Sequence, residues 1–408
     1  MSLTMQVEAG EAAAKYHSVT KACGCLLRAF QLERGLVRAL GGWLAGVPYW
    51  DAKLAMGDHL WEHARGASAL LARLHELKET SAERQELEPI AQLLRVITNA
   101  KDGDDYLWGT YGILIPFVSE KFRQWAGQID PVMDPLSRQT LLEIAEQTER
   151  HRDWFEKWTP VYTVQTPQRS FAWSDALKRL IARIDWEHGT WLQGDEGLSQ
   201  AESLNEFQSP AVPRRDDCFR TAYVNEVARH AGESFEERRR AIFYNHTQEM
   251  QFAESLGAIL HDTPEMPWAF HHDLARHCAD EIRHTRMGCT RLEQLGEDLR
   301  SYPMLLQNYA LRSKLDPMER FCMMTLVIEA ASFDKKRSNV KLFAEHGDKI
   351  SECYESYDIR DEMMHVNFGH TWVPIMLRVA QDPRSVTVLV QHCRDVLDDA
   401  LKDERRVV

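Results

Sequence analysis

The segments Asp280-Glu281-Ile282-Arg283-His284 and Asp361-Glu362-Met363-Met364-His365 decide how this chain is interpreted. Both contain Asp-Glu-x-x-His, and no other Glu-x-x-His occurs in the sequence. Two residues three positions apart share one face of an α-helix, so each pair can hold a metal ion from a single helix. Two such helices, each joined by a glutamate from a further helix, can form a di-metal carboxylate site inside a helical bundle.

The chain is expected to be all-α, because hydrophobic residues recur at helical spacing nearly throughout. The helices of the C-terminal half are predicted to run from Ser234 to His261, from Thr263 to near Gly296, from Asp316 to just before Gly347, and from Asp348 through the second motif, with Ser385 to Leu401 as a short closing helix. Capping residues, Pro at the first helical position and Gly after the last turn mark these ends. Pro374 is expected to kink or end the fourth helix.

The connections predict how these helices are arranged. Short turns join the first helix to the second and the third to the fourth, whereas residues 297–315 form a longer connection between the two hairpins. A four-helix bundle with one long crossover is the ferritin-like topology. We therefore expect a ferritin-like four-helix bundle in the C-terminal half of the chain.

Two further glutamates on apolar helix faces complete a ligand set. An unpaired carboxylate is costly to bury, whereas two divalent or trivalent cations would neutralise several of them. Oxygen and nitrogen donors suit iron or manganese. The predicted metal ligands are Glu249, Glu281, His284, Glu329, Glu362 and His365. Glu254 is the alternative to Glu249, because both lie near the same part of the first helix.

Other polar residues near the motifs are candidates for supporting roles. A metal-bound imidazole usually donates its other N–H to a carboxylate, so Asp280 and Asp361 are each expected to bond the histidine of the opposite helix. Arg283 can pair with one of these aspartates, although all three also fit ordinary helix-surface charges. One turn before each of three ligands lie His246, His277 and Thr325. The histidines are possible extra ligands or structural residues, and Thr325 is a candidate catalytic hydroxyl or a bond to its own helix.

These residues resemble those of the ferritin-like di-iron carboxylate superfamily, in which Asp-Glu-x-Arg-His is a recurring form of the motif. The second motif departs from that form, because Met364 stands where Arg would be. The continuation His365-Val-Asn-Phe-Gly-His370 is similar to a poorly characterised bacterial branch of the superfamily. The resemblance covers about residues 218–380. It implies two iron ions, with manganese or a mixed pair as alternatives, and oxygen or peroxide chemistry, but no particular substrate.

The rest of the chain is predicted to form a second bundle. Residues 1–165 are expected to form an N-terminal helical bundle, residues 166–217 a connecting segment with one helix from Asp175 to Trp191, and residues 218–408 the di-metal bundle. Gly57–Ala64 resembles the first motif without its Glu-x-x-His, so the N-terminal bundle is interpreted as a degenerate duplicate without metal. A second metal site on His59, Glu62 and His63 is the alternative.

Composition restricts the partners and the location. The 408 residues carry a net charge of −13, which argues against a large non-specific nucleic-acid surface. No apolar run is long enough to cross a membrane, and Met1–Lys15 lacks the features of a signal peptide, so a cytoplasmic protein is expected. The eight cysteines are scattered without Cys-x-x-Cys, which favours reduced thiols.

The sequence therefore predicts a di-iron oxidase or oxygenase that hydroxylates, N-oxygenates or desaturates an unidentified small molecule. No flavin or nicotinamide motif is evident, so an external electron donor is expected if turnover is catalytic. The chain is expected to act as a monomer or dimer. The alternatives are a ferroxidase or peroxide-scavenging protein of iron handling, and a metal-binding protein without catalysis.

Overall fold

The computed structural model describes residues 16–162, 171–194, 207–229 and 234–406. Contacts divide the chain into a first unit, Met1–Ala39 with Glu62–Gln208, and a second unit, Leu40–Trp61 with Ser209–Val408. Residues 40–61 thus belong to the second unit, although the sequence-based division placed them in the N-terminal bundle. The first fifteen residues and two parts of the predicted connecting segment, 166–170 and 195–206, lie outside the described residues.

The described part of the chain up to residue 194 is helical apart from one hairpin. Its elements are α1 (Val19–Leu44), α2 (Trp50–Glu76), a 3₁₀ turn (Ala82–Arg84), α3 (Glu88–Thr98), α4 (Gly103–Leu107), the π-helical segment π1 (Trp108–Leu114), α5 (Ile115–Gly127), α6 (Pro135–Tyr162), α7 (Phe171–Ala182), β1 (Ile184–Asp185) and β2 (Thr190–Trp191). The predicted helix from Asp175 to Trp191 is therefore wrong after Ala182. The chain turns back at Gly189, whose φ of +73° is a conformation that glycine adopts readily, and pairs Ile184 with Trp191.

The remaining elements all belong to the second unit. They are β3 (Thr221–Ala222), α8 (Glu226–Arg229), α9 (Phe235–Thr247), α10 (Met250–Asp262), α11 (Trp268–Gln294), a 3₁₀ turn (Leu299–Ser301), β4 (Met304–Leu305), α12 (Gln307–Arg312), α13 (Pro317–Cys322), the π-helical segment π2 (Met323–Glu329), α14 (Ala330–Glu345), α15 (Lys349–Val379) and α16 (Val386–Arg406). The chain is all-α in class, since the described strands are only two residues long.

Most of the predicted helix ends in this unit are confirmed. Ser234 and Glu237 form a reciprocal capping box at the start of α9. The side chains of Asp316 and Asp348 cap α13 and α15 by accepting backbone N–H bonds. Pro374 lies inside α15 without ending it.

The first long helix of the second unit is broken, contrary to the continuous helix predicted from Ser234 to His261. Helix α9 ends at Thr247, and Glu249 lies at the start of α10. Gly288 of α11 packs closely against this break, where a Cβ atom would lie 2.6 Å from both the Phe243 oxygen and the Thr247 nitrogen. The next helix also starts later than predicted, at Trp268, because Pro267 rather than Thr263 precedes its first turn.

The helices of the second unit surround a buried centre. Helix α11 packs against α9, α10 and α15, and α14 and π2 pack against α15. None of the helices in the described ranges has a stretch that is both long and apolar enough to cross a membrane. The facing sides of α11 and α15 carry the two Asp-Glu-x-x-His motifs, so this packing determines the position of the candidate site.

Candidate metal centre

The six predicted ligands converge in the interior of the second unit. Groups of His, Asp and Glu side chains offer ligand atoms within 4.8 Å of one another, and each predicted ligand belongs to at least one such group. The first group, called cluster A here, contains His277, Glu281, Glu329 and His365. Two further groups share His284. Apart from Glu281, which is already assigned to cluster A, their members are called cluster B here: Glu249, His284, Asp358 and Glu362. Buried groups of this kind can hold a metal ion.

Cluster A is built from α11, π2 and α15. The Nε2 atom of His277 lies 2.9 Å from a Glu329 oxygen and 3.4 Å from Oε1 of Glu281. The Nδ1 atom of His365 lies 3.5 Å from the same Glu281 oxygen. The rings of His277 and His365 stack with their centroids 3.7 Å apart. Two imidazoles and two carboxylates therefore meet within a few ångströms in a space that is buried from solvent.

Cluster B is centred on His284 of α11. Its Nδ1 atom lies 3.4 Å from Oε2 of Glu249 and 3.4 Å from Oδ1 of Asp358. The same nitrogen lies 3.9 Å from Oε2 of Glu281. Glu281 thus has one oxygen near cluster A and the other near cluster B. This carboxylate stands between two neighbouring positions for cations.

The two aspartates of the motifs pair across the helices as predicted. His284 of α11 has Nε2 3.1 Å from Asp361 of α15, and His365 of α15 has Nε2 3.4 Å from Asp280 of α11. Arg283 donates to both aspartates, at 2.8 Å to Asp280 and 2.6 Å to Asp361. Because the aspartates hold the Nε2 side of each ring, the Nδ1 atoms are directed toward the clusters.

Buried ligand atoms without hydrogen bonds show that the clusters fit a metal. A buried polar atom normally has a partner, so several such atoms without one in a single place are suited to binding an ion. Five of the six predicted ligands carry such an atom: Glu281 Oε1, His284 Nδ1, Glu329 Oε2, Glu362 Oε2 and His365 Nδ1. Nitrogen and carboxylate oxygen donors in this number suit iron or manganese.

Charge balance points the same way. The carboxylates of the two clusters are Glu249, Glu281, Glu329, Asp358 and Glu362. One buried cation, Lys336 of α14, contacts them, with Nζ 2.7 Å from both Asp358 and Glu362. With all five carboxylates ionised and the histidines neutral, as metal ligands are, four negative charges stay uncompensated in the interior. Two divalent cations would balance them.

Burial and neighbouring charges shift the pKa values of these groups. Burial raises the pKa of Glu281 to about 7 and holds that of Glu362 well above its ordinary value. Burial, with His277 adding to it, lowers the pKa of His365 to about 4. At His277 and His284 burial acts downward, but the surrounding carboxylates outweigh it and raise the pKa to about 10 and about 9. Protons therefore neutralise part of the negative charge, and a bound metal would replace them.

Of the predicted supporting residues, His246 contacts a candidate ligand, whereas Thr325 bonds its own helix. Both ring nitrogens of His246 bond to carboxylates, Nδ1 to Glu249 at 3.1 Å and Nε2 to Glu355 at 2.6 Å, so it holds Glu249 in place. Thr325 donates its hydroxyl to the Phe321 carbonyl at 2.7 Å, the bond typical of a helical threonine. The expectation of a catalytic Thr325 hydroxyl is not supported, because its proton is used inside its own helix.

Glu254 and Glu249 have different surroundings. The Glu254 carboxylate forms ion pairs with Lys53 at 2.6 Å and with Arg215 at 2.6 Å, and all three side chains are buried. Glu249 instead faces His246 and His284. These contacts favour Glu249 as the ligand from this helix and give Glu254 a structural role.

Sequence reasoning gave no role to Asp358, Glu355 or Lys336. A signal for Asp358 is present, because it precedes Glu362 by four residues just as His277 precedes Glu281 by four. Both helices thus follow one pattern, with a potential ligand one turn before the glutamate of the motif. Lys336 has no comparable signal, since it lies in the polar stretch Asp334–Arg337 that resembles a solvent-exposed face.

The corresponding residues of the first unit form pairs. His63 Nδ1 lies 2.9 Å from Glu33, and His151 Nε2 lies 2.7 Å from Glu62. In the division of the chain, His59 belongs to the second unit and Glu62 and His63 belong to the first. Within the described ranges, no group of three potential ligands lies in the first unit.

Comparison with known proteins identifies a family without a known activity. Residues 174–406 match the family described as a protein of unknown function, DUF455, and the match spans more than half of the chain. The chain therefore belongs to this family. No curated protein and no solved structure is significantly similar to it.

Proposed function

We propose that this member of the DUF455 family is a di-iron oxidase or oxygenase with its metal site in clusters A and B. The observation that carries the proposal is the convergence of six ligands, predicted from spacing alone, with five buried atoms that lack a hydrogen-bond partner. Structural pairs also leave single buried atoms without a hydrogen bond, as at Glu33 Oε1 and His63 Nε2 in the first unit, but the clusters gather five such atoms in one place. An interior with several orphaned ligand atoms is better explained by bound cations.

The proposal includes a ferritin-like arrangement of the second unit. Its four long helical segments would be α9 with α10, α11, π2 with α14, and α15. The segment between α11 and π2, which holds β4 and α12, would be the long crossover. Support comes from the packing of α11 on α10 and α15 and of α14 on α15. The π2 segment ends at Glu329, and π-helical turns inside helices are frequent at functional sites.

The residues of this chain would divide the work as follows. Glu281 would help to hold both cations, because its two oxygens face different clusters. Asp361 and Asp280 would fix the imidazole rings of His284 and His365 and keep Nδ1 available as the donor atom. The apolar side chains around the clusters would exclude water. The chemistry that two iron ions would supply in this position is the reduction of O₂ coupled to the oxidation of an organic substrate.

A surface cleft lies beside the helical segment that carries Glu329. The cleft has a volume of about 470 Å³ and is lined by residues on both sides of Glu329 and by α16: Val327, Ile328, Ala330, Ala331, Arg394, Leu397 and Asp398. A cleft of this size suits a small-molecule ligand. We therefore propose a small organic substrate and, for repeated turnover, a separate electron donor.

The experiment is anaerobic loading with Fe(II), followed by exposure to O₂. We expect about two iron ions per chain, rapid O₂ consumption, and an optical change that some small molecules accelerate. Matched variants are Glu329→Ala in cluster A and Glu293→Ala, an exposed glutamate at the end of α11. The first should lose O₂ consumption, and the second should behave like the unmodified protein.

The outcomes separate this function from its alternatives. Growth of Fe(III) mineral with no effect of any organic compound would favour iron handling. Stoichiometric metal without O₂ consumption would favour a metal-binding protein without catalysis. Absence of metal binding under all conditions would refute every one of these functions.

A further inference from the structure

Lys336 of α14 inserts a fixed positive charge into one of the two clusters. Its side chain is only 13% exposed, and Nζ lies 2.7 Å from Asp358 Oδ1 and 2.7 Å from Glu362 Oε1. A buried ammonium requires such partners, because removing it from water is costly. Both carboxylates belong to cluster B, so the lysine is placed where a cation bound there would need its ligands.

In the described residues cluster A has no lysine or arginine in direct contact, although the buried guanidinium of Arg312 interacts electrostatically with Glu281 and Glu329. Within the described residues, no lysine or arginine lies at ion-pair distance from His277, Glu281, Glu329 or His365. Glu329 of the second hairpin follows Glu249 of the first by 80 residues. Lys336 follows Leu256 by the same 80 residues, so Leu256 is its counterpart in the first hairpin. Leu256 is buried and apolar. The asymmetry is therefore present in the sequence as well as in the contacts.

The ligand atoms of the two clusters differ in availability. In cluster A, Glu281 Oε1, Glu329 Oε2 and His365 Nδ1 are buried without hydrogen bonds. In cluster B only His284 Nδ1 and Glu362 Oε2 are in that condition. Glu249 Oε2 is bonded to His246, and Lys336 donates to both oxygens of Asp358 and to Oε1 of Glu362. The difference between the clusters is therefore the fixed ammonium group of Lys336, which occupies carboxylate oxygens of cluster B and contacts none of cluster A.

We propose that Lys336 makes the two metal positions unequal, so that cluster A binds the first divalent cation and cluster B accepts a second only when the ammonium group gives up Asp358 and Glu362. This inference rests on the proposed di-metal function and deepens it. The second cation has to overcome repulsion from a nearby positive charge and to replace two ion pairs. The protein would therefore pass through a stable form with one metal, which gives a mixed pair of metals an order of loading.

The test is an anaerobic titration with Mn(II), followed by calorimetry and by electron paramagnetic resonance, which distinguishes free, single and coupled Mn(II). The unmodified protein should bind one equivalent tightly and a second more weakly. The variant Lys336→Gln removes the charge and should tighten the second event about tenfold or more, as residues next to a metal ligand commonly change affinity by that amount. The exposed neighbour provides the control Lys335→Gln, which should leave both events unchanged.

Lys336→Met is a second variant in case Lys336→Gln does not fold. It keeps an apolar side chain of similar length and also removes the charge. A selective gain at the second position in either folded variant supports the inference. Equal affinities in the unmodified protein, or a second event that stays the same or weakens in both variants, would overturn it and leave the di-metal function intact. Absence of Mn(II) and Fe(II) binding in every form would instead overturn the proposed function together with this inference.

Discussion

The two units bury histidine and glutamate in different ways. In the first unit the described contacts are pairs, His63 with Glu33 at 2.9 Å and His151 with Glu62 at 2.7 Å. In the second unit one imidazole, that of His284, lies within 4 Å of several carboxylates. The His63–Glu33 pair balances one acid with one base, although Glu33 Oε1 and His63 Nε2 have no hydrogen bond, whereas several buried carboxylates around one imidazole need cations. The candidate metal centre is therefore distinguished by the number of carboxylates around each histidine rather than by the presence of histidine.

The π-helical segments extend the comparison to the backbone. Both π1 and π2 contain seven residues and precede a regular helix, and both have threonine at the third position. Their last residues differ, since π1 ends at Leu114 and π2 ends at Glu329. The irregular backbone is therefore shared by the two units, but the ligand is not. The interpretation of the N-terminal bundle as a degenerate duplicate without metal stays a prediction.

The largest expected effect comes from removing a ligand of the second unit. Glu281→Ala removes the carboxylate between the clusters, and His365→Ala removes a nitrogen donor of cluster A. Each should abolish binding of two iron ions while helicity stays largely intact, because the helices themselves are held by apolar packing. Metal analysis and circular dichroism measure both quantities. The controls Glu293→Ala and His370→Ala change exposed residues on the same two helices, and stoichiometric iron in both ligand variants would refute the site.

A smaller effect is expected from the aspartates that hold the imidazole rings. Asp361→Asn weakens the bond to Nε2 of His284 and loses a charge that pairs with Arg283. Metal affinity should fall by about ten- to a hundred-fold, the range typical of residues that orient a metal ligand. A competition titration with a chelator measures the change. Asp334→Asn, at a fully exposed side chain on α14, is the control, and equal affinities in the two variants would remove the orienting role.

Sequence spacing predicted the ligands because the relevant geometry is local. Residues at i, i+3 and i+4 share a helix face, so the two motifs specify which side of α11 and α15 faces inward. Lys336 escaped prediction because its partners, Asp358 and Glu362, lie on another helix, and pairing across helices leaves no trace in local periodicity. The break before Glu249 was also missed. It depends on close packing of Gly288 against α9, a tertiary contact that overrides helix propensity.

Acidity should weaken metal binding in the second unit. The pKa values of Glu281, His284 and His277 are raised to about 7, about 9 and about 10, so these groups carry protons near neutral pH when only protein charges surround them. Metal binding has to release such protons, and affinity should rise with pH by about tenfold per pH unit for each proton released. Calorimetry with Mn(II) in buffers of different ionisation enthalpy counts the protons. Affinity that is constant between about pH 6.5 and 8.5 would contradict a metal that replaces protons in these clusters.

The smallest effect on metal is expected from the pair in the first unit. His63→Gln removes the imidazole that faces Glu33, and both side chains are fully buried. Leaving a buried carboxylate without its partner should lower the free energy of unfolding by about 1–3 kcal/mol, which thermal or denaturant unfolding detects. Iron stoichiometry should stay the same, because the described contacts give the first unit pairs and no group of three ligands. Loss of iron together with a normal fold would show that the first unit takes part in metal binding, and the distinction between paired and clustered histidines would then fail.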